Sequence, residues 1–381
     1  MRVGTTTIVQ NYGDWDRYEA EERGEAVPER PAIEDRSIFL EEVALAHMAD
    51  GLGFDALWTI EHHFTPYTMV TNPLQLLSYL AGTTSNVDLG TMVVVAPWHN
   101  PVRVAEDIVM LDSLLGPDRR IMCGVGRGLG RREYAGMNID QGEARTRFDE
   151  SIEILTQLLT TGRCTFHGEY YSYDDLHLRP QPNRDMSDCL LAAGGTNDTV
   201  SVIAEKGIDP LTVPTVSLAV ALKGAQAFAQ QRADAGFEPA QTKLGLWVHC
   251  AETTDAARDA AENYLVNFAD SSLRHYELNG DHFANLKGYE SYQQVSKMFS
   301  DGVNPMAQGY LADHPWGTPA EVCEQIKEIA TAFGANELML GFKYGGMPIE
   351  LAEKSMQLFA AEVLPELHEF ATEPIVVPAS V

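Results

Sequence analysis

Eight short apolar runs, each followed by an amphipathic stretch of helix length, constrain this chain more than any other feature. The runs are Val3–Val9, Ala56–Ile60, Val87–Val95, Arg120–Val125, Cys189–Ala193, Pro210–Val213, Leu244–Cys250 and Glu337–Gly341. Helical periodicity follows them over Ser37–Gly51, Leu74–Leu80, Val102–Leu115, Ala144–Leu159, Thr199–Lys206, Leu218–Ala235, Asp255–Phe268 and Pro348–Val363. The runs are nearly uniformly apolar, as parallel strands covered on both faces must be. Eight such units predict an α/β fold, a (β/α)8 TIM barrel, and one barrel with insertions accounts for residues 1–381 as a single domain.

Three segments break the alternation, one each after strands one, four and seven. Tyr12–Arg36 is polar and acidic and reads as a long loop. Arg163–His177 alternates in the manner of a hairpin, with His167-Gly168 at its turn. Residues 271–316 mix aromatics with glycines and suit either a substrate-covering lid or an insertion with its own small core. Residues 368–381 read as a loose tail.

Composition removes several function classes. Acidic residues outnumber basic ones by 55 to 27, a net charge of −28, and no basic stripe is present, so neither nucleic acid nor an anionic membrane surface is an expected partner. No apolar run approaches the ~18 residues of a membrane span, and the N-terminus lacks the apolar region of a signal peptide. Cys123, Cys164, Cys189, Cys250 and Cys323 are scattered, with no Cys-x-x-Cys pair. That suits reduced thiols and a cytoplasmic location.

In a barrel of this kind the chemistry belongs at the carboxyl ends of the strands. Strand two opens into Glu61-His62-His63-Phe64. Adjacent side chains point to opposite faces, so His62 and His63 have different surroundings: one imidazole can face a ligand while the other packs sideways. Strand five opens into Gly194-Gly195-Thr196-Asn197-Asp198-Thr199, where a helix begins. Glycine backbone, two hydroxyls and helix amides would cradle a phosphate; the same residues also suit an ordinary capped helix start, worth about 1 kcal/mol. Strand four opens into Gly124-Val125-Gly126-Arg127-Gly128-Leu129-Gly130. Arg127, flanked by glycines, could complete an anion site or be a surface charge in a flexible turn. The glycines fail the G-x-G-x-x-G dinucleotide pattern and lack the lysine of a P-loop, which leaves a mononucleotide phosphate. No metal-ligand spacing and no serine-nucleophile elbow occurs.

These blocks, with Leu57-Trp58-Thr59-Ile60 before the histidines, Pro101-Val102-Arg103-Val104-Ala105-Glu106-Asp107 and the closing Leu358–Pro365, resemble the bacterial luciferase-like flavin monooxygenases over roughly residues 1–367. The resemblance implies a barrel that binds reduced FMN, supplied by a separate flavin reductase. With oxygen the flavin would form a 4a-hydroperoxyflavin that oxygenates a small organic substrate. It implies that His62 lies beside the flavin ring, that Arg127, Gly195, Thr196 and Thr199 hold its phosphate, and that Met92-Val93 form a cis peptide bulge behind it. Gly126 stands where luciferase has a reactive cysteine, and Tyr12–Arg36 is longer than in luciferase. The resemblance therefore points to a homodimeric, non-luminescent monooxygenase, and the aromatic lid to a hydrophobic substrate such as a terpenoid, cyclic ketone or aldehyde. A deazaflavin-dependent hydride-transfer oxidoreductase and a non-catalytic flavin-binding subunit are the alternatives on the same barrel.

Overall fold

The computed structural model describes residues 1–193, 202–214, 217–278 and 305–377. Eight parallel strands close into a barrel: β1 (Arg2–Thr7), β2 (Ala56–Thr59), β3 (Asp88–Val95), β4 (Ile121–Gly126), β7 (Leu190–Ala193), β8 (Asp209–Thr212), β9 (Thr242–Trp247) and β12 (Ala335–Gly341). They pair in chain order, and β12 returns to β1. This is the (β/α)8 barrel expected from the apolar runs.

Inside the barrel, bulk on one strand is matched by glycine on its neighbours. Trp58 lies across Gly4 and Gly90, where an added Cβ would fall 2.8 and 2.4 Å from its indole. Trp247 does the same over Gly341, at 2.1 Å. At the amino-terminal end the interior is ionic: Arg2 bonds Asp88 at 2.7 Å and Glu337 at 3.3 Å, and Arg120 reaches Asp88 at 3.3 Å. These ion pairs close that end, and the carboxyl-terminal mouth remains as the place for chemistry.

Hairpin strands β5 (Arg163–His167) and β6 (Ser172–His177) pair antiparallel as expected. Four expectations need correction. The stretch Tyr12–Arg36 is not a plain loop: a 3-10 turn, Tyr12–Asp14, leads into a helix, Trp15–Glu22. Buried Trp15 anchors it, donating from Nε1 to Ser271 Oγ at 2.6 Å, while the acidic residues that masked its periodicity face outward. The seventh run divides at Val248, because β12 ends at Gly341 and offers no further barrel partner. His249–Cys250 (β10) pairs instead with Trp316–Gly317 (β11).

The helix expected to end at Phe268 continues through a π-helical turn, Ala261–Leu265, to Tyr276. The start of the 271–316 excursion is thus regular helix, and residues 279–304 lie outside those described. A further helix, Pro319–Phe333, was not read from the sequence, although Thr318 and Glu321 form a capping box at its start. The tail is docked at least as far as Thr372, whose Oγ1 donates to Ala335 O at 2.6 Å. Among the described residues no helix is long and apolar enough to cross a membrane.

Candidate active site

Beyond β2 the run Glu61-His62-His63-Phe64 divides three ways: Glu61 and His63 meet each other, His62 enters a second cluster and Phe64 turns outward. Glu61 is buried and accepts from Val95 N at 2.7 Å, with His99 Nε2 at 2.6 Å and His63 Nε2 at 3.1 Å. Burial pushes its carboxyl up, but the hydrogen bonds from His63 and His99 prevail and hold it below the usual range. His99 responds in the opposite sense: burial favours the neutral ring, and Glu61 outweighs it and raises the imidazole. His63 also packs edge-on against Trp98, with ring centroids 5.3 Å apart. It is the sideways member of the pair. Phe64, at φ 63, turns outward and is 52% exposed.

His62 belongs to a second cluster, built by two helices distant in sequence. Its Nδ1 lies 3.0 Å from Glu133 Oε1, which also accepts from His63 N at 2.9 Å. Its Nε2 lies 3.2 Å from the Tyr276 hydroxyl. The other oxygen of Glu133 faces His275 Nε2 at 3.4 Å, and His275 Nδ1 is 2.7 Å from Thr65 Oγ1. Burial alone would push the Glu133 carboxyl up; His275 and His62 together outweigh it and hold it well below the usual range. Burial of His275 prevails over the pull of Glu133, so that imidazole is shifted down. His62, Glu133 and His275 place three donor atoms within 4.8 Å of one another, a grouping that no local spacing announced.

The glycine-rich end of β4 lies against β3. An added Cβ on Gly126 would fall 2.6 Å from Val93 Cγ2, and one on Gly128 would fall 2.7 Å from Val95 Cγ1. The Met92-Val93 peptide is cis, and the β3–β4 register shifts between Met92 and Val94. Any side chain in place of Gly126 would collide with Val93. Arg127 is buried, 8% exposed, which removes its reading as a surface charge. Its carbonyl accepts from the Tyr134 hydroxyl. The short helix Arg131–Gly136 therefore joins the two parts of the site, with Glu133 on His62 and Tyr134 on Arg127. Gly195, Thr196 and Thr199 lie outside the described residues.

Sequence reasoning missed Glu133, His275 and Tyr276. Glu133 offered a faint signal, a carboxylate six residues beyond Arg127 in a turn already suspected of chemistry. His275 and Tyr276 offered none, because they sat in a segment read as irregular.

The profile of a family described as luciferase-like monooxygenase matches residues 26–337. Among curated relatives, the alkanal monooxygenase alpha chain of the Kryptophanaron alfredi symbiont is 23% identical over 346 residues, covering 89% of this chain and 96% of that one. The oxygenase component of the flavin-dependent trigonelline monooxygenase of Acinetobacter baylyi is 25% identical over 350 residues, covering 88% and 91%. Among solved structures, the monooxygenase RslO1 from Streptomyces bottropensis superposes with a TM-score of 0.73 at 22% identity, covering 96% and 99%. The oxygenating constituent of 3,6-diketocamphane monooxygenase from Pseudomonas putida, a type II Baeyer-Villiger enzyme in complex with FMN, gives 0.67 at 19%, covering 96% and 98%. An F420-dependent secondary alcohol dehydrogenase gives 0.65 at 17%, covering 96% and 98%.

Proposed function

As the chain belongs to the luciferase-like monooxygenase family, we propose that it is the oxygenase of a two-component system that uses reduced FMN and oxygen to oxygenate a small hydrophobic substrate. The observation that carries this reading is His62, an imidazole at the barrel mouth whose Nδ1 is held by a buried carboxylate. The residues present fit an FMN group by their chemistry. Arg127 is a buried cation directly after β4, and the register shift of β3 between Met92 and Val94 lies beside that strand. Reduced FMN, when bound, supplies the electrons that activate oxygen.

The chain's own residues do the rest. Arg127 would hold the phosphate of bound FMN, together with Gly195, Thr196 and Thr199. Met92 and Val93, at the register shift of β3, would contact the flavin. His62 takes up or returns a proton at Nε2, a role typically worth about 10²–10⁴-fold in rate. Tyr67, Trp247 and Tyr310 are buried around Phe268, with Trp247 and Phe268 centroids 4.5 Å apart, an aromatic group that suits an apolar substrate. A transient flavin reductase, a homodimeric assembly and a cytoplasmic setting complete the proposal; the five cysteines are buried free thiols.

The test is anaerobic titration with reduced FMN and with reduced F420, followed by oxygen uptake and product analysis with aldehydes, cyclic ketones and terpenoids. Tight binding of reduced FMN and a substrate-dependent, singly oxygenated product are expected. Preferential F420 binding with hydride transfer in the absence of oxygen would replace the proposal with the deazaflavin alternative, and flavin binding without turnover would leave a partner subunit. Arg127→Ala should weaken FMN binding roughly 10–100-fold through loss of a charge-assisted hydrogen bond. His62→Ala should retain FMN and lose coupled product formation.

A further inference from the structure

We infer that protons reach and leave His62 through a relay, Tyr276–His62–Glu133, in which Glu133 sets the tautomer of the imidazole and the Tyr276 phenol is the group that meets the reacting atoms. The inference rests on the oxygenase reading and extends it by naming two further residues.

A count of donors and acceptors leads to it. Glu133 is fully buried, and its oxygens face Nδ1 of His62, the backbone N–H of His63 and Nε2 of His275. An ionised carboxylate only accepts, so the hydrogen between Glu133 and His62 belongs to Nδ1. A neutral imidazole carries one N–H, which leaves Nε2 of His62 as an acceptor. Among the described residues that atom lies 3.2 Å from the Tyr276 hydroxyl, which donates to it, and the same phenol is also hydrogen-bonded to Tyr67. His275 serves the carboxylate from the other side. With Nε2 directed at Glu133, its Nδ1 is free to accept from the Thr65 hydroxyl at 2.7 Å.

The surroundings leave His62 little other access. Its ring is hemmed by Tyr67, His275 and Tyr276, with centroids 5.0, 4.8 and 5.7 Å away. Both ring nitrogens are thus committed within the protein. In the transfer step the phenolic proton of Tyr276 passes to His62 Nε2 while the phenol oxygen takes a proton from the bound reactant. The imidazolium that forms is balanced by Glu133, and the reverse transfer restores all three groups. Tyr276 ends unchanged, so the step needs no further reactant.

The same three donors, His62, Glu133 and His275, could instead clasp a divalent ion, and the test separates the two. Histidine-selective 15N NMR is recorded on the flavin-free protein at pH 8, before and after dialysis against EDTA, with the His62 signals identified by their loss in His62→Gln. A protonated Nδ1 and a bare Nε2, unchanged by EDTA, are expected. Glu133→Ala should release the ring to the Nε2–H form. Tyr276→Phe keeps the ring contacts, so packing alone predicts no loss. The relay predicts the wild-type tautomer, unaltered FMN affinity and a fall in kcat for product of about 10²-fold or more. An Nε2–H tautomer in the wild-type protein, an EDTA-dependent spectrum, or full activity in Tyr276→Phe would each overturn it. If Glu133→Ala does not fold, the wild-type tautomer and Tyr276→Phe still decide. The NMR pattern is read without flavin, so failure of the oxygenase reading and failure of the tautomer assignment remain distinguishable.

Discussion

Gly130 has ordinary extended backbone, with φ −69 and ψ 114, so no turn geometry demands a glycine there. What excludes a side chain is Glu133. A Cβ on residue 130 would lie 2.2 Å from Glu133 Oε2 and 2.9 Å from its Cδ. The glycine lets the carboxylate fold back over the start of its own helix and reach His62, His63 and His275. Gly130→Ala should therefore act as an active-site substitution although it adds one methyl group and changes no polar atom. The carboxylate must swing away, which removes the acceptor from His62 Nδ1. We expect kcat to fall about 10–100-fold, within the span of a lost proton-transfer partner. The stability cost should be about 1–3 kcal/mol, typical of overpacking. Steady-state kinetics and denaturant unfolding on the same preparation measure both. A stability loss with unaltered kcat would show that the exact seat of Glu133 is immaterial to turnover.

Two helices carry the groups around His62, and a surface ion pair ties them together. Glu277 caps the helix Val266–Tyr276 in the left-handed region, at φ 50. Its carboxylate takes both Nε and a terminal nitrogen of Arg131, at 3.0 and 2.7 Å, on the helix that holds Glu133. Arg132, next in sequence, bonds Glu22 of the first insertion at 2.9 Å. Exposed pairs contribute little to stability, about 0.2–1 kcal/mol, so this one matters for placement. Arg131→Glu should cost several-fold in kcat/KM, and the reversed pair Arg131→Glu with Glu277→Arg should recover most of it. Equal losses in the single and the double variant would deny the pair any such role. These elements also mark how far the sequence was legible. The barrel strands were readable because burial on both faces makes each strand apolar along its whole length. The helix Trp15–Glu22 was hidden because only Trp15 of its residues is buried, and the rest present a run of charge. His62 stood out from its place at a strand end, yet Glu133 lies 71 residues away and Tyr276 lies 214. No local spacing encodes such a contact; only barrel closure brings the residues together.

Across the whole molecule the two ends of the barrel have separate tasks, and the amino-terminal end is the better place to test that separation. Arg2 bonds Asp88, Glu337 and the carbonyl of Asp55, and so satisfies groups from three other parts of the chain. Glu337 is 2% exposed; burial raises its carboxyl, with Arg2 and Lys243 pulling against the rise. Arg2→Ala removes the counter-charge bonded to it and leaves the carboxylate buried, at a cost below the about 3–5 kcal/mol of a fully buried pair because Arg2 is partly exposed. The sign of the pH dependence follows. A carboxyl whose folded pKa lies above its unfolded value of about 4.3 takes up the burden of ionisation as the pH rises through that interval. Loss of Arg2 widens the interval upward, so the variant should be destabilised more at pH 8 than at pH 5. Urea unfolding of wild type and variant at both values measures the difference. Below the thermal transition the variant should turn over at the wild-type rate, because the cluster lies at the end of the barrel opposite His62. A matching fall in kcat would mean that the ionic seal positions the mouth through the strands, and the two ends would then have to be treated as one mechanical unit.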